Sequence, residues 1–147
     1  MTRTIWFGEI DKSALGVRTK DTLIENLGIE VLEMGDDFIK ARMPVDRRTK
    51  QPAGLLHGGA SVALAETLAS IGAFCCIDRD KFYCVGQEIN ANHVRAARSG
   101  LVKGTARAVH IGGRSQVWSI EIVDEADKLV CISRITVAVI KRGALAG

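Results

Sequence analysis

One stretch does most to decide what this chain can fold into. From Gly58 to Cys76 the sequence reads GGASVALAETLASIGAFCC, small or apolar nearly all the way round. A helix of that composition has no wet face and is buried on most sides. It is the only long helix candidate, and everything after it reads as strand. Phe82 to Val94 and Val102 to Val109 come first, and Ile111-Gly112-Gly113 turns the chain. Arg114 to Val123 alternates, with Trp118, Ile120 and Ile122 on one face and Ser115, Ser119 and Glu121 on the other. The turn DEADK then leads into Leu129 to Lys141. Before the helix, Asp11 to Leu27 reads as a short amphipathic helix or turn. Two β-segments follow around Gly35-Asp36-Asp37, and VDRRTKQPAG is a polar loop. One buried helix with several antiparallel strands predicts an α+β fold whose sheet wraps the helix. Such a sheet leaves helix surface and a strand edge unfinished, so a homo-oligomer is expected.

The bulk properties narrow the function. With 147 residues and no internal repeat, residues 1–147 are expected to form one domain. Apolar residues at 47% and charged residues at 25% match ordinary soluble proteins. No apolar run reaches the roughly 20 residues of a bilayer span. The start MTRTIWFGEIDKS lacks the pattern of a signal peptide, so no membrane association and a cytoplasmic location are expected. A net charge of +3, with four Phe, two Trp and one Tyr and no dense basic block, argues against nucleic-acid binding. Cys75, Cys76, Cys84 and Cys131 form no CxxC pair and no zinc spacing, which predicts buried, reduced thiols and no metal site.

The helix nevertheless carries a carboxylate. In QPAGLLHGGASVALAE, Glu66 has no Lys or Arg near it in the run, and an unpaired buried charge is costly. Val62, Glu66 and Ser70 share one helix face, with Gly59 close to the same line. Glu66 is either a general base or nucleophile, or an exposed or ion-paired residue; the residues leave both readings open. His57-Gly58-Gly59 places backbone N–H groups at a helix start, where they can receive developing negative charge, although the same string also serves as a plain loop-to-helix turn. Neither a phosphate loop nor GxGxxG nor GxSxG occurs. Arg95, Arg98, Lys103 and Arg107 could collect phosphates or simply decorate strand ends.

Three strings together, MPVDRRTKQPAGLLHGGASVALAETLAS, EINANHVRAARSG and QVWSIEIVDE, resemble the hotdog-fold acyl-CoA thioesterases. The resemblance is nearest to two related branches, one acting on 1,4-dihydroxy-2-naphthoyl-CoA in menaquinone biosynthesis and one proofreading enterobactin assembly, and it runs from about Leu27 to Ile140. It implies a hotdog fold, a homotetramer built as a dimer of dimers, and hydrolysis of an acyl-CoA thioester. By the resemblance, Glu66 is the catalytic carboxylate, Gly58 the backbone donor to the thioester oxygen, and His57 and Gln51 position the thioester and water. Ser70 lies beside the acyl group. Gly86, the stretch His93, Val94, Arg95 and Ala96, and the stretch His110, Ile111, Gly112, Gly113, Arg114 and Ser115 line the CoA and substrate groove. No cofactor is implied, CoA being part of the substrate. Alternatives are release of misloaded aryl or acyl groups from a carrier protein, a broad-specificity acyl-CoA thioesterase, and a non-catalytic acyl-CoA-binding protein. One departure stands out: the loop IDRDKFYC is a residue longer than usual, which alters the substrate's surroundings there.

Overall fold

The computed structural model describes residues 3–144. Among these residues, six strands form one antiparallel sheet: β1 Glu30–Met34, β2 Phe38–Pro44, β3 Phe82–His93, β4 Leu101–Ile111, β5 Ser115–Val123 and β6 Leu129–Lys141. Their order is β1-β2-β4-β5-β6-β3. A four-residue helix α1, Leu23–Asn26, precedes β1, and the long helix α2, Gly58–Cys75, lies in the curve of the sheet. This is the expected hotdog arrangement. β4 runs on to Ile111, which therefore ends a strand instead of opening the turn.

Alternation on the strands builds the core. Ile39, Ala41 and Met43 of β2, Val102 and Ala106 of β4, Trp118, Ile120 and Ile122 of β5, and Ile135 and Val137 of β6 are all buried. Small residues let the helix approach the sheet. A methyl group added at Gly72 would stand 2.8 Å from Trp118 Cη2, and one at Gly104 would stand 2.7 Å from Leu68 Cδ1. The buried Gln116 side chain is satisfied, donating to the Ala73 carbonyl at 3.3 Å and accepting from Trp118 Nε1 at 2.9 Å.

The helix is not enclosed all round by its own chain. Ala60, Ser61, Leu64, Ala65, Leu68, Ala69, Gly72 and Ala73 face the sheet and are buried. The line Gly58, Val62, Glu66, Ser70 and Phe74 is only half-buried. By length and apolarity alone α2 could cross a membrane, contrary to the sequence expectation; in this fold it is the core helix, with 50% of that span buried.

The N-terminal segment is more ordered into the fold than its lack of family likeness suggests. Ile5 N–H donates to Asp36 O at 3.0 Å, Trp6 Nε1 to Gly35 O at 2.7 Å, and Phe7 N–H to Cys75 O at 2.8 Å. Trp6 also stacks on Trp118, centroids 6.3 Å apart. The expected single helix or turn over Asp11 to Leu27 is broken into a 3₁₀ turn, Lys12–Thr19, and α1, because Asp21 adopts a left-handed φ of 58° between them.

Candidate active site

A tight loop delivers the chain to α2. Thr49 is buried, donates its hydroxyl to Pro44 O at 2.7 Å and accepts from Asp46 N–H at 3.1 Å. Hydrogen bonds from the Arg48 side chain and backbone hold the Asp46 carboxyl down to about 2. His57 N–H then bonds Thr49 O at 2.8 Å, Gln51 N–H bonds Leu55 O at 2.8 Å, and Leu56 N–H bonds Ala97 O at 2.8 Å. Gly54, at φ 82°, closes the turn with a conformation that L side chains rarely adopt. Gln51 and His57 are therefore held on the two arms of one hairpin. The Gln51 side-chain oxygen accepts from Ala53 N–H, which leaves its amide NH₂ to donate elsewhere.

His57 is the N-cap of α2. Its Nδ1 accepts from Gly59 N–H at 2.8 Å. An accepting nitrogen carries no proton, so in this geometry the neutral ring bears its proton on Nε2 and offers a donor. The Gly58 N–H, first in the helix, has no intrahelical carbonyl to bond. The imidazole of His93, at the end of β3, lies over this helix start: a methyl group at Gly58 would stand 2.8 Å from His93 Nε2.

Glu66 is half-buried, and among the described residues its carboxylate makes no ion pair and no hydrogen bond. Pairing with an Arg from another strand, one of the two readings above, is not what this chain does. A Cβ at Gly86 of β3 would run into Glu66 Oε1, so the carboxylate lies directly on that glycine. A β-bulge between Gly86 and Glu88 bends the strand there, a feature that often re-aims side chains beside active sites. β3 is a twelve-residue strand at the sheet's edge, so this contact sits where the chain's own sheet stops.

The predicted residues thus fall into separate groups. His57, Gly58 and His93 meet at the start of α2, and Val94, Arg95 and Ala96 follow directly. Glu66 and Gly86 meet further along the helix, with Ser70 one turn beyond on the same helix face. On β3, Gly86 and His93 are on the order of 20 Å apart at ~3.3 Å per residue. The hairpin from His110 to Ser115 lies at the far end of the sheet. Ser115 pairs with Ala138 whereas His93 pairs with Cys131, a difference along β6 again on the order of 20 Å. His110 folds over its own turn, its Nε2 2.6 Å from where a Gly112 methyl would stand, and Gly112 N–H bonds Ser115 O at 2.9 Å.

The basic cluster separates too. Lys103 pairs with Asp127 at 3.4 Å and Arg107 with Asp37 at 3.0 Å. Arg95 and Arg98 are exposed and, among the described residues, in no ion pair. Burial pushes the Cys76 thiol up to about 12, Cys84 up to about 11, and Cys131 above the usual thiol range. Two features escaped the sequence. Thr49 anchors the hairpin that sets Gln51 and His57, for which a Thr three residues after Asp46 is a weak turn signal. The second is a cavity of about 490 Å³ between the N-terminal segment and the Ser70 end of the half-buried helix line; nothing in residues 9–19 announces it.

Comparison with known proteins agrees with this geometry. The thioesterase superfamily profile matches residues 53–131. The 1,4-dihydroxy-2-naphthoyl-CoA hydrolase of Escherichia coli K12 is 48% identical over 136 residues, 92% of this chain and 99% of that protein. A proofreading thioesterase of Cronobacter turicensis is 48% identical over 135 residues, covering 92% and 98%. The crystal structure of a mutant thioesterase from Pseudomonas aeruginosa superposes with a TM-score of 0.92 at 44% identity, covering 94% of this chain and 99% of that one. A profile match to over half of the chain, an identity near one half along almost its whole length and the shared fold lead to one conclusion: this chain belongs to the thioesterase superfamily and is a thioester hydrolase.

Proposed function

We propose that the chain hydrolyses an aromatic acyl-CoA thioester, of the type of 1,4-dihydroxy-2-naphthoyl-CoA, with Glu66 as the reacting carboxylate. The observation that carries this is the Glu66 side chain, half-buried, without a partner among the described residues and pressed against Gly86. A carboxylate so placed is available to a substrate. As a base it takes a proton from water, whose oxygen attacks the thioester carbon. As a nucleophile it forms a mixed anhydride that water then cleaves. In both routes the carbonyl oxygen gains negative charge, the C–S bond breaks and CoA leaves as thiolate, protonated in turn. The Gly58 N–H, with the helix dipole behind it, stabilises the oxyanion, and the Nε2 donor of His57 and the Gln51 amide orient the reactants. No metal or redox cofactor enters this scheme.

One chain cannot bring these groups together. Attack needs the nucleophile within ~3–3.5 Å of the carbon, and the donor must sit ~2.7–3.1 Å from the oxygen. Yet α2 rises on the order of 12 Å from Gly58 to Glu66, and Glu66 and Gly58 lie on β3 residues still further apart. A second copy solves this. Antiparallel pairing of two β3 edges, centred near Ile89 and Asn90, sets Gly58 and His93 of one copy opposite Gly86 and Glu66 of the other. It also carries the stretch His93–Ala96 of the second copy to the sheet end holding His110–Ser115, about three strand spacings away, or ~14 Å. A CoA moiety spanning these two segments, with Arg95 and Arg98 near its phosphates, fits that layout. Two such dimers form the tetramer. Acyl-CoA chemistry suits the cytoplasm, and the resemblance of the sequence implies menaquinone biosynthesis as the setting. The likeness to the proofreading thioesterase supports a second reading, release of misloaded aryl groups from a carrier protein; comparing kcat/KM on aryl-CoA and aryl-carrier substrates separates the two.

Glu66→Gln tests the core of the proposal. It keeps shape and removes charge, so kcat falls by roughly 10² to 10⁴. Because no ion pair is lost, Tm moves by less than about 4 °C, the shift that ~1 kcal/mol produces in a domain of this size. Near wild-type kcat in a folded Glu66→Gln protein ends the catalytic assignment.

A further inference from the structure

Residues 9–19 form a strap with a cavity on either side. On one side, a space of about 490 Å³ is lined by Ser70, Ile71 and Phe74 of α2 and by Cys84 of β3. On the other, a space of about 680 Å³ is lined by residues 29–34, along β1. The strands β1 and β3 are the two edges of the sheet, so the strap lies in the gap that the curved sheet leaves open. Among the described residues, only Leu15 and Thr19 line both spaces. Both belong to the 3₁₀ turn, and they form the partition between the cavities.

The first cavity continues the candidate active site along two elements. On α2, Ser70 is on the order of 6 Å beyond Glu66. On β3, Cys84 precedes Gly86 by two residues, on the order of 7 Å along the same strand face. The two residues pair with Val139 and Val137 of β6, on the unbulged side of Gly86. An acyl group whose thioester carbon sits at Glu66 therefore has its distal end in this chamber. The surface it meets there is hydrocarbon: Ile10, Leu15 and Ile24, all half-buried, together with Ile71 and Phe74. The carboxylates that line the chamber, Glu9 and Asp11, are exposed and stay hydrated. A chamber of this kind takes an apolar end, such as the distal ring of a naphthoyl group or an alkyl tail.

We propose that Leu15 sets the length of acyl group that the enzyme accepts. Its side chain closes the chamber behind the distal end of the substrate and shuts off the β1 cavity, which a longer hydrocarbon chain would otherwise enter. The inference rests on the thioesterase reading above, whose substrate it refines. While there is room, each further methylene of the acyl chain adds about fourfold in binding, the value of one buried CH₂. At the partition the gain stops, because the next methylene must displace Leu15 or turn out into water.

The test is kcat/KM for straight-chain acyl-CoA thioesters from butanoyl to hexadecanoyl, which locates the length at which the gain breaks. Leu15→Ala is expected to move the break to longer chains, with at least about fourfold gained on the first ester past the wild-type break. Leu15→Trp should move it to shorter chains. Opposite shifts cannot come from a strap that has merely loosened. Leu32→Trp fills the β1 cavity from its other wall, where Leu32 is 46% exposed, and combined with Leu15→Ala it should cancel the gain. A break unmoved in both Leu15 variants, or a gain in Leu15→Ala that survives Leu32→Trp, overturns the proposal. Calorimetric binding of S-alkyl-CoA thioethers of the same lengths needs no turnover. If Glu66→Gln keeps near wild-type kcat while thioether affinity breaks at a length that Leu15→Ala extends, the catalytic reading of Glu66 falls and the assignment of Leu15 stands. A thioether series that breaks at one length in the wild type and in Leu15→Ala overturns the assignment of Leu15 by itself.

Discussion

The carboxylate of Glu66 rests on the backbone of Gly86, with Oε1 occupying the space that a β-carbon at position 86 would need. Helix α2 supplies the acid and edge strand β3 supplies the wall, and only the absence of a side chain allows the two to meet. The same relationship recurs at the other end of the strand, where His93 covers Gly58. Each glycine marks a place where a side chain assigned to the proposed site crosses from one element to the other.

Gly86→Ala therefore displaces the carboxylate without altering the chemistry of any side chain. The expected result is a loss of kcat of at least about 10²-fold, the scale of a misplaced catalytic group, in a protein that still folds because Gly86 lies on an exposed edge. Circular dichroism and kcat on one preparation check this. Unchanged turnover would show that Glu66 can act from elsewhere.

His57 combines two roles that substitution can separate. Asn is a good N-cap, so His57→Asn keeps the helix start while removing the Nε2 donor, and His57→Ala removes both. Turnover is expected to fall in both variants by a similar factor. Only His57→Ala should also lose roughly 1 kcal/mol of stability. Urea unfolding alongside kinetics reads both quantities. Full activity in His57→Asn would reduce the residue to a cap.

Arg95 and Arg98 remain available for phosphate once Lys103 and Arg107 are assigned to their ion pairs. Arg95→Ala should raise KM for acyl-CoA with kcat nearly constant, the pattern of lost ground-state binding. Added salt should raise KM in the wild type more steeply than in the variant. A Lys103→Ala control is expected to leave KM alone. An unchanged KM in Arg95→Ala together with reduced stability would make the residue structural.

The half-buried line on α2 and the open β3 edge are the surfaces that the proposed second copy would cover. Light scattering at micromolar concentration is expected to give a tetramer of 15.8 kDa subunits. A charge placed on the edge face, Val85→Lys, where 43% of the valine is exposed, should break the dimer and abolish turnover together. A fully active monomer would refute the shared site.

Local pattern carried much of this fold. α2 ends within one residue of its expected limit, because an apolar run bounded by His57-Gly58-Gly59 and Asp78 leaves little choice. The alternation in β5 placed Trp118, Ile120 and Ile122 inward, as found. The N-terminal region read poorly: Asp21 at positive φ breaks what periodicity suggested was continuous. Short segments take their shape from what they pack against, and Trp6 finds Trp118 far along the chain.

The sequence by itself determined that a carboxylate must ride on an apolar helix that opens on Gly58-Gly59, since helical spacing and composition are local properties. Only the tertiary structure decided that Glu66 is unpaired, that Gly86 and not an arginine faces it, and that Lys103 and Arg107 are already engaged. Those outcomes depend on strand register and on a bulge in β3, which place residues from distant parts of the chain within a few ångströms of each other. The N-terminal segment beside Ser70 belongs to the same class: hydrogen bonds from Ile5, Trp6 and Phe7 to remote carbonyls hold it, and no spacing along the chain encodes them.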